Sequence, residues 1–350
     1  MIEMDLTERF ELIREVGEEI ITEEELKELL ETKKHPVAYD GFEPSGMAHI
    51  AFGVYRAMNL KKMIKAGVKF KLLLADWYAW INNKMDGDLG KIRKVGEYFE
   101  EVWKAAGVPM DEVKVLWASE QMNQEYWKTV IQIAKNHTLN RTKRALKIAG
   151  RKGTMKSPVA WTFYPSMQVA DIFHLNVDIC QLGKDQRRAN MLARELAPKL
   201  GRKKPVTVSH HMLMGLEGEA KGEKMSKSKP STAIYVHDSR EEIKKKIEGA
   251  YCPEKQVKEN PILDYTKHLL FEEFNSLEIR RKKKHGGDVT YQNYIELEQA
   301  YKKSELHPLD LKKNVARYLN QLVEPIRDHF EENKKARKLY EFVKDQEITR

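Results

Sequence analysis

At 350 residues, with a net charge of +9 and a third of its positions charged, the chain has room for two domains and a large buried core. Two cysteines, Cys180 and Cys252, cannot make a disulfide framework or a zinc site, and both read as buried thiols of a reducing cytosol. No apolar run approaches membrane-spanning length, and Met1–Glu18 is acidic and helical in pattern rather than a signal peptide, so a cytoplasmic protein without a membrane role is expected.

In chain order, residues 7–32 alternate acids with apolar positions at helical spacing and predict one or two surface helices. A short apolar strand, Val37–Phe42, is broken by Glu43-Pro44-Ser45-Gly46, and a helix is expected over 49–66. Strand 70–76, helix 90–106 and strand 112–118 follow, then a long basic helix over 124–148. A helix from Pro165, a strand over 177–182, a helix over 185–199 and a strand over 206–209 complete an alternation that implies a parallel sheet covered on both faces. Ligands of such sheets bind at the carboxyl ends of the strands. Beyond a strand-like stretch at 233–236 the pattern becomes helical: 239–249, 261–271, 292–303 and 308–346, with a kink or break expected at Pro325. The expected architecture is an α/β domain (1–222), a loop and linker (223–238) and an α-helical domain (239–350).

Charge placement says more than its sum. From Lys128 to Pro158 there are nine Lys/Arg and no acid, and a second cluster runs from Arg280 to His285. Patches of this kind attract phosphate backbones, and the missing acids favour nucleic acid over a merely solvated face at 128–158.

Two stretches carry chemistry. Lys224-Met225-Ser226-Lys227-Ser228 has two lysines, two hydroxyls and no acid, between Gly218 and Gly222 on one side and Pro230 on the other. Such a loop suits closure on a triphosphate whose leaving pyrophosphate gains charge. Upstream, Pro44-Ser45-Gly46-Met47-Ala48-His49 lies between a strand and its helix, where backbone N–H groups meet phosphate. His49 there can donate to a phosphate oxygen, although alone it reads equally as a helix cap. Tyr164, Gln168 and Asp171 are spaced four and three apart, one polar face on an otherwise apolar helix. Gln186 sits at another strand-to-helix junction, in Lys184-Asp185-Gln186-Arg187-Arg188.

Residues 224–228 match the lysine-rich signature loop of class I aminoacyl-tRNA synthetases, and 49–52 resembles their His-Ile-Gly-His element. The chain departs from the latter at Ala51 and Phe52, as eukaryotic-type tyrosyl enzymes do, so only His49 carries over. With Tyr164-Pro-x-Met-Gln168-x-x-Asp171 and Asp185-Gln186-Arg187, the chain from Tyr39 to past Asp310 resembles tyrosyl-tRNA synthetases of the archaeal and eukaryotic type. The resemblance implies a Rossmann-like catalytic domain, with a helical dimerisation and acceptor-stem insertion at about 120–160, followed by an α-helical anticodon-binding domain.

It further implies that Tyr39 and Asp171 hold the phenol hydroxyl of L-tyrosine, while Tyr164, Gln168 and Gln186 hold its α-amino group. ATP would be bound by Gly46, His49, Met225, Ser226, Lys227 and Ser228, with His49, Lys224 and Lys227 stabilising the transferring phosphate. Mg²⁺ would arrive with ATP, and no protein-bound metal is expected. Tyr78 and Gln121 stand where relatives shape the tyrosine pocket; Asp40 and Asp76 lie near it and are given no chemistry. Arg144 and Arg188 fall at acceptor-stem positions, and His285, His307 and Asp310 at the anticodon element, where Asp310 would pair with a guanine edge. His307-Pro308 equally reads as a helix start. A homodimer bound to tRNA(Tyr) is implied as well.

Tyrosine–tRNA ligation is therefore the favoured function. The tryptophanyl enzyme is the nearest rival in chemistry, but does not need Tyr39 and Asp171 together. A synthetase-derived RNA-binding protein without catalysis is the rival of another class, disfavoured by the complete tyrosine set and lysine loop. Generic dinucleotide binding fails because no Gly-x-Gly-x-x-Gly follows a strand.

Overall fold

A computed structural model of the chain describes residues 4–146, 157–218 and 232–346. Six strands form one sheet in the order β1-β6-β5-β2-β3-β4: β1 (Glu19–Ile21), β2 (Val37–Phe42), β3 (Lys69–Leu74), β4 (Val113–Trp117), β5 (Ile179–Cys180) and β6 (Val206–Ser209). β2 to β6 pair in parallel and β1 closes the β6 edge antiparallel, with Glu19 opposite Ser209. From β2 the chain advances to β3 and β4, then returns to lay β5 and β6 on the other side of β2. The sheet therefore reverses its winding between β2 and β5, where open α/β sheets hold ligands.

Local chemistry accounts for most boundaries. Thr22 caps Glu23–Thr32 in a reciprocal box with Glu25, and Ser239 does the same for Arg240–Gly249 with Glu242. The first two helices are partly core elements, burying Phe10, Ile13, Val16, Leu26, Leu29 and Leu30, because β1 between them draws them onto the sheet. Strand β5 is shorter than the expected 177–182, yet Asp178 and Gln181 donate backbone N–H groups to Val37 and Tyr39 on either side.

Several expectations are corrected. The helix expected over 124–148 is two helices, Gln124–Lys135 and Leu139–Leu146. His137 ends the first by bonding Ile133 O with Nδ1, while its Nε2 meets Thr142 of the second. The stretch 70–76 turns helical at Asp76, opening Asp76–Ile81, and residues 233–236 keep only a bridge between Tyr235 and His49. Pro325 does not break its helix, which runs Pro308–Glu332. The break falls at Asn333, whose side chain accepts from Lys335 and Ala336 and caps Lys334–Lys344. An unforeseen hairpin, β7 (Leu277–Ile279) with β8 (Val289–Tyr291), stands in the helical half.

The helical half is welded to the sheet half. Helix Leu89–Ala105 receives Phe330 on Tyr98 with ring centroids 5.5 Å apart, and His329 Nε2 lies 2.8 Å from Glu101. His237 stacks on Tyr340 at 3.9 Å. One apolar cluster runs unbroken from Phe10 through Val236 to Val343.

Candidate functional site

A cavity of about 240 Å³ opens at the carboxyl ends of β2 and β5, lined among others by Tyr39, Glu43, Tyr164, Gln168, Asp171 and Gln186. All five residues expected to hold an amino acid therefore meet in one pocket. Its volume lies below the roughly 300–1,000 Å³ of drug-sized sites and suits one amino acid.

Tyr39, on β2, is 1% exposed, and its hydroxyl has no hydrogen-bond partner among the described residues. A buried hydroxyl without a protein partner is costly, so a ligand carrying a hydrogen-bonding group is its natural complement. Asp171, on helix Tyr164–His174, is also buried. Its Oδ2 accepts from the Tyr78 hydroxyl at 2.5 Å and its Oδ1 from the Tyr126 hydroxyl at 2.8 Å. Burial pushes the Asp171 carboxyl up to about 7, against the opposing pull of the two hydroxyls. Met167 O lies 3.0 Å from the Tyr126 hydroxyl, an alternative acceptor for its single proton.

At the other end of the pocket, Tyr164 donates to Glu43 Oε1 at 2.6 Å, and Asn82 donates to the same oxygen at 2.6 Å. Gln168 Nε2 donates to Gln186 Oε1 at 2.9 Å. Carboxylate, amide carbonyls and phenol together form an acceptor-rich wall that fits an ammonium group. Glu43 and Tyr126 escaped the sequence reading. Glu43 read as a turn residue, and nothing local tells Tyr126 from an ordinary core tyrosine. Tyr78 lines the cavity as expected; Gln121 is not among its lining residues. Asp76 binds Ser119 and the Trp77 N–H, a local tether between two short helices. Asp40 lies 3.2 Å from buried Arg56, and burial raises its carboxyl to about 7 despite that neighbour.

Gly46 has φ +127°, which side chains rarely adopt, so the turn before His49 needs glycine. His49 Nδ1 accepts from the Phe52 N–H at 3.3 Å, which in a neutral ring leaves Nε2 as the donor. The helix expected here starts with a π turn, Ala51–Tyr55, before Arg56–Lys65. Phe52 packs on Phe99 (4.2 Å between centroids) and Trp103 (4.9 Å), so an aromatic residue serves the core where the family element has its second histidine.

The lysine-loop residues Lys224, Met225, Ser226, Lys227 and Ser228 lie outside the described residues. The segment's flanks are fixed nonetheless. Leu216 N–H donates to Thr232 O at 2.9 Å, and Ile50 N–H to Ile234 O at 2.8 Å, so residues 232–236 run against the His49 element. A Cβ on Gly53 would meet Val236 at 2.5 Å, and glycine permits this approach.

Arg188 donates to Arg144 O at 2.8 Å, bringing two exposed arginines from separate helices onto one face. In the helical half His307 caps Pro308–Glu332 by accepting from Leu309 N–H at 3.2 Å, and Asp310 lies in that helix's first turn. The His285 backbone forms a turn, Lys283–His285, inside the β7–β8 connection. Arg281 ties that connection to the approach to His307, donating to Glu305 O at 2.7 Å.

Residues 31–324 match the profile of the class I tRNA synthetases (W and Y). The chain is 47% identical over 350 residues to cytoplasmic tyrosine–tRNA ligase 1 of Arabidopsis thaliana, covering 99% of this chain and 90% of that one. It is 43% identical to a tyrosine–tRNA ligase of Saccharolobus islandicus, covering 94% and 95% respectively. A crystal structure of the Pyrococcus horikoshii tyrosyl-tRNA synthetase complexed with L-tyrosine superposes with a TM-score of 0.90 at 40% identity, over 97% of this chain and 100% of that one. A pocket with an unpaired tyrosine hydroxyl at one end and acceptors at the other, on this sheet and with these relatives, makes the chain a member of the class I tRNA synthetases and, within them, of the tyrosyl-tRNA synthetases.

Proposed function

We propose that this chain is a tyrosine–tRNA ligase whose cavity at the ends of β2 and β5 holds L-tyrosine with its phenol inward. The observation that carries this orientation is the buried, unpaired Tyr39 hydroxyl beside the Asp171 carboxyl. Tyr78 and Tyr126 hold Asp171 in place, leaving its remaining lone pairs for the substrate hydroxyl. Phenylalanine in the same pose leaves the Tyr39 hydroxyl unmet, at ~1–3 kcal/mol, and gives Asp171 nothing beyond its two tyrosine donors. Glu43, Tyr164, Gln168 and Gln186 receive the ammonium group.

No protein nucleophile is required. The tyrosine carboxylate attacks the α-phosphate of Mg²⁺-ATP, tyrosyl-adenylate forms as pyrophosphate leaves, and a ribose hydroxyl of tRNA(Tyr) then takes the tyrosyl group. Catalysis rests on positioning and charge stabilisation, with His49 Nε2–H, Lys224 and Lys227 as donors to the phosphates. Gly46, Met225, Ser226 and Ser228 complete the nucleotide site. The division into residues 1–222, 223–238 and 239–350 follows these roles. Arg144 and Arg188 meet the acceptor stem, and His285, His307 and Asp310 the anticodon.

A homodimer is proposed on the exposed side chains Trp80, Ile131, Leu139, Val159 and Phe163, with Trp77 6.3 Å from Trp80 and 6.5 Å from Trp127. A cytoplasmic location accords with the naming of the Arabidopsis relative, and no helix among the described residues is long and apolar enough to cross a membrane. Amino-acid-dependent exchange of pyrophosphate into ATP tests the central reading. Exchange is expected with tyrosine and not with phenylalanine or tryptophan; exchange with tryptophan, or with none of them in folded protein, overturns it.

A further inference from the structure

Away from the tyrosine pocket, residues from two distant segments converge. His211 follows β6, whereas Asp264 and His268 stand one turn apart in Pro261–Tyr265 and the wider turn Thr266–Leu270. One coordinating atom from each lies within 4.8 Å of the other two. His211 Nε2 is 2.7 Å from Asp264 Oδ1, and His268 Nε2 is 3.9 Å from that same oxygen. The imidazoles stack at 4.1 Å and 17°, so their in-plane lone pairs run side by side, and the His268 ring has to turn out of the stack for both to meet one ion.

The surroundings hold these groups in position. Asp264 Oδ2 accepts the Met214 N–H at 2.9 Å, which turns Oδ1 towards the rings. Glu18 Oε2 lies 3.4 Å from His211 Nδ1, a carboxylate behind the imidazole as metal-binding histidines usually have. An ordinary histidine–aspartate pair accounts for His211 but not for His268. Among the described residues the His268 ring makes no hydrogen bond, and 3.9 Å from Oδ1 is too far for one. That separation does fit two donors sharing an ion, which at bonds of about 2.1 Å stand no more than about 4.2 Å apart. His211 and Asp264 would have to part by less than about 1 Å to reach the roughly 3.4 Å of tetrahedral neighbours.

We propose that His211, Asp264 and His268 bind one divalent ion of the zinc class, with Glu18 supporting His211 and water in the fourth position. Two imidazole nitrogens and one carboxylate oxygen suit Zn²⁺ or Co²⁺, not Mg²⁺, which takes oxygen ligands. The site departs from the expectation of no protein-bound metal, and it is independent of the tyrosine pocket. Its position gives it a structural role. Residues 211–214 lead to Leu216, whose N–H meets Thr232 at the root of the lysine-rich segment, and the ion would clamp that root to the helical half.

The test is equilibrium dialysis of the full chain, stripped with chelator, against ZnCl₂ and in parallel CoCl₂. One Zn²⁺ per chain is expected, together with Co²⁺ absorption of the intensity typical of four-coordinate ions. His268→Phe keeps a ring on His211 but offers no lone pair, so it should lose at least about tenfold in affinity, and Zn²⁺ should no longer raise its Tm. Glu18→Gln should lose about 10- to 100-fold. If His268→Phe does not fold, His211→Gln takes its place with the same expectation. Absence of stoichiometric Zn²⁺ in the wild type, or undiminished affinity in the folded ligand variant, overturns the proposal.

Discussion

Tyr39→Phe should move stability and recognition in opposite directions. Among the described residues the buried Tyr39 hydroxyl has no partner, so the protein itself leaves its desolvation uncompensated. Removing one oxygen leaves the ring packed and relieves up to ~1–3 kcal/mol. The Tm of the ligand-free variant should therefore rise, by roughly 2–4 °C per kcal/mol in domains of 150–250 residues and less in a longer chain. With tyrosine bound, the same oxygen pairs with the substrate hydroxyl in the proposed pose. A neutral hydrogen bond contributes ~0.5–1.5 kcal/mol, so the preference for tyrosine over phenylalanine should fall by roughly 2- to 13-fold. Differential scanning fluorimetry without ligands and pyrophosphate exchange with both amino acids measure the two effects. A lower Tm would mean that the hydroxyl is satisfied in the free protein. An unchanged preference would mean that it does not meet the substrate, and either result refutes the reasoning.

The other predictions concern the far end of the chain and the buried carboxyls. Asp310→Ala should leave tyrosine-dependent exchange intact while slowing charging of tRNA(Tyr) by about 10-fold or more, as for a lost hydrogen bond to a charged acceptor; impaired exchange would contradict the anticodon assignment. Burial holds the carboxyls of Asp40 and Asp171 up at about 7, against 3.8 ordinarily. Between those values the folded chain binds more protons than the unfolded one, so their contribution is fully present at low pH and lost as pH rises through 7. Asp171→Asn removes one such group. Its unfolding free energy should decline less between pH 5 and 7 than that of the wild type, by up to about 1.4 kcal/mol per pH unit, and parallel curves would rule out the burial argument.

Much of the catalytic half could be read directly because its strands carry short apolar runs and its turns carry their own punctuation. Leu72-Leu73-Leu74 are all buried, as expected of a strand covered on both faces, and Gly46 marks a turn that glycine alone fills comfortably. What escaped depended on competition between local and distant preferences. Helical periodicity continues past Lys135, so only the His137 ring, bonding both to the preceding turn and to Thr142, reveals the break. Pro325 suggested an interruption, but packing of Val323, Ile326 and Phe330 carries the helix through, and the local signal that mattered was the capping Asn333. In the pocket, Tyr39, Tyr164, Gln168, Asp171 and Gln186 were legible through resemblance. Glu43 and Tyr126 act through contacts to residues 121 and 45 positions away, which no local pattern encodes.

The apolar cluster shared by both halves has a mechanical consequence. With Tyr98 against Phe330, His329 against Glu101 and His237 stacked on Tyr340, the seam between the halves is packed like an interior, not like a hinge. Interiors of this density resist small displacements. The span from the amino-acid pocket to the first turn of Pro308–Glu332 is thus that of a fixed calliper. Whatever is bound at either end, the other end keeps its distance and orientation to it.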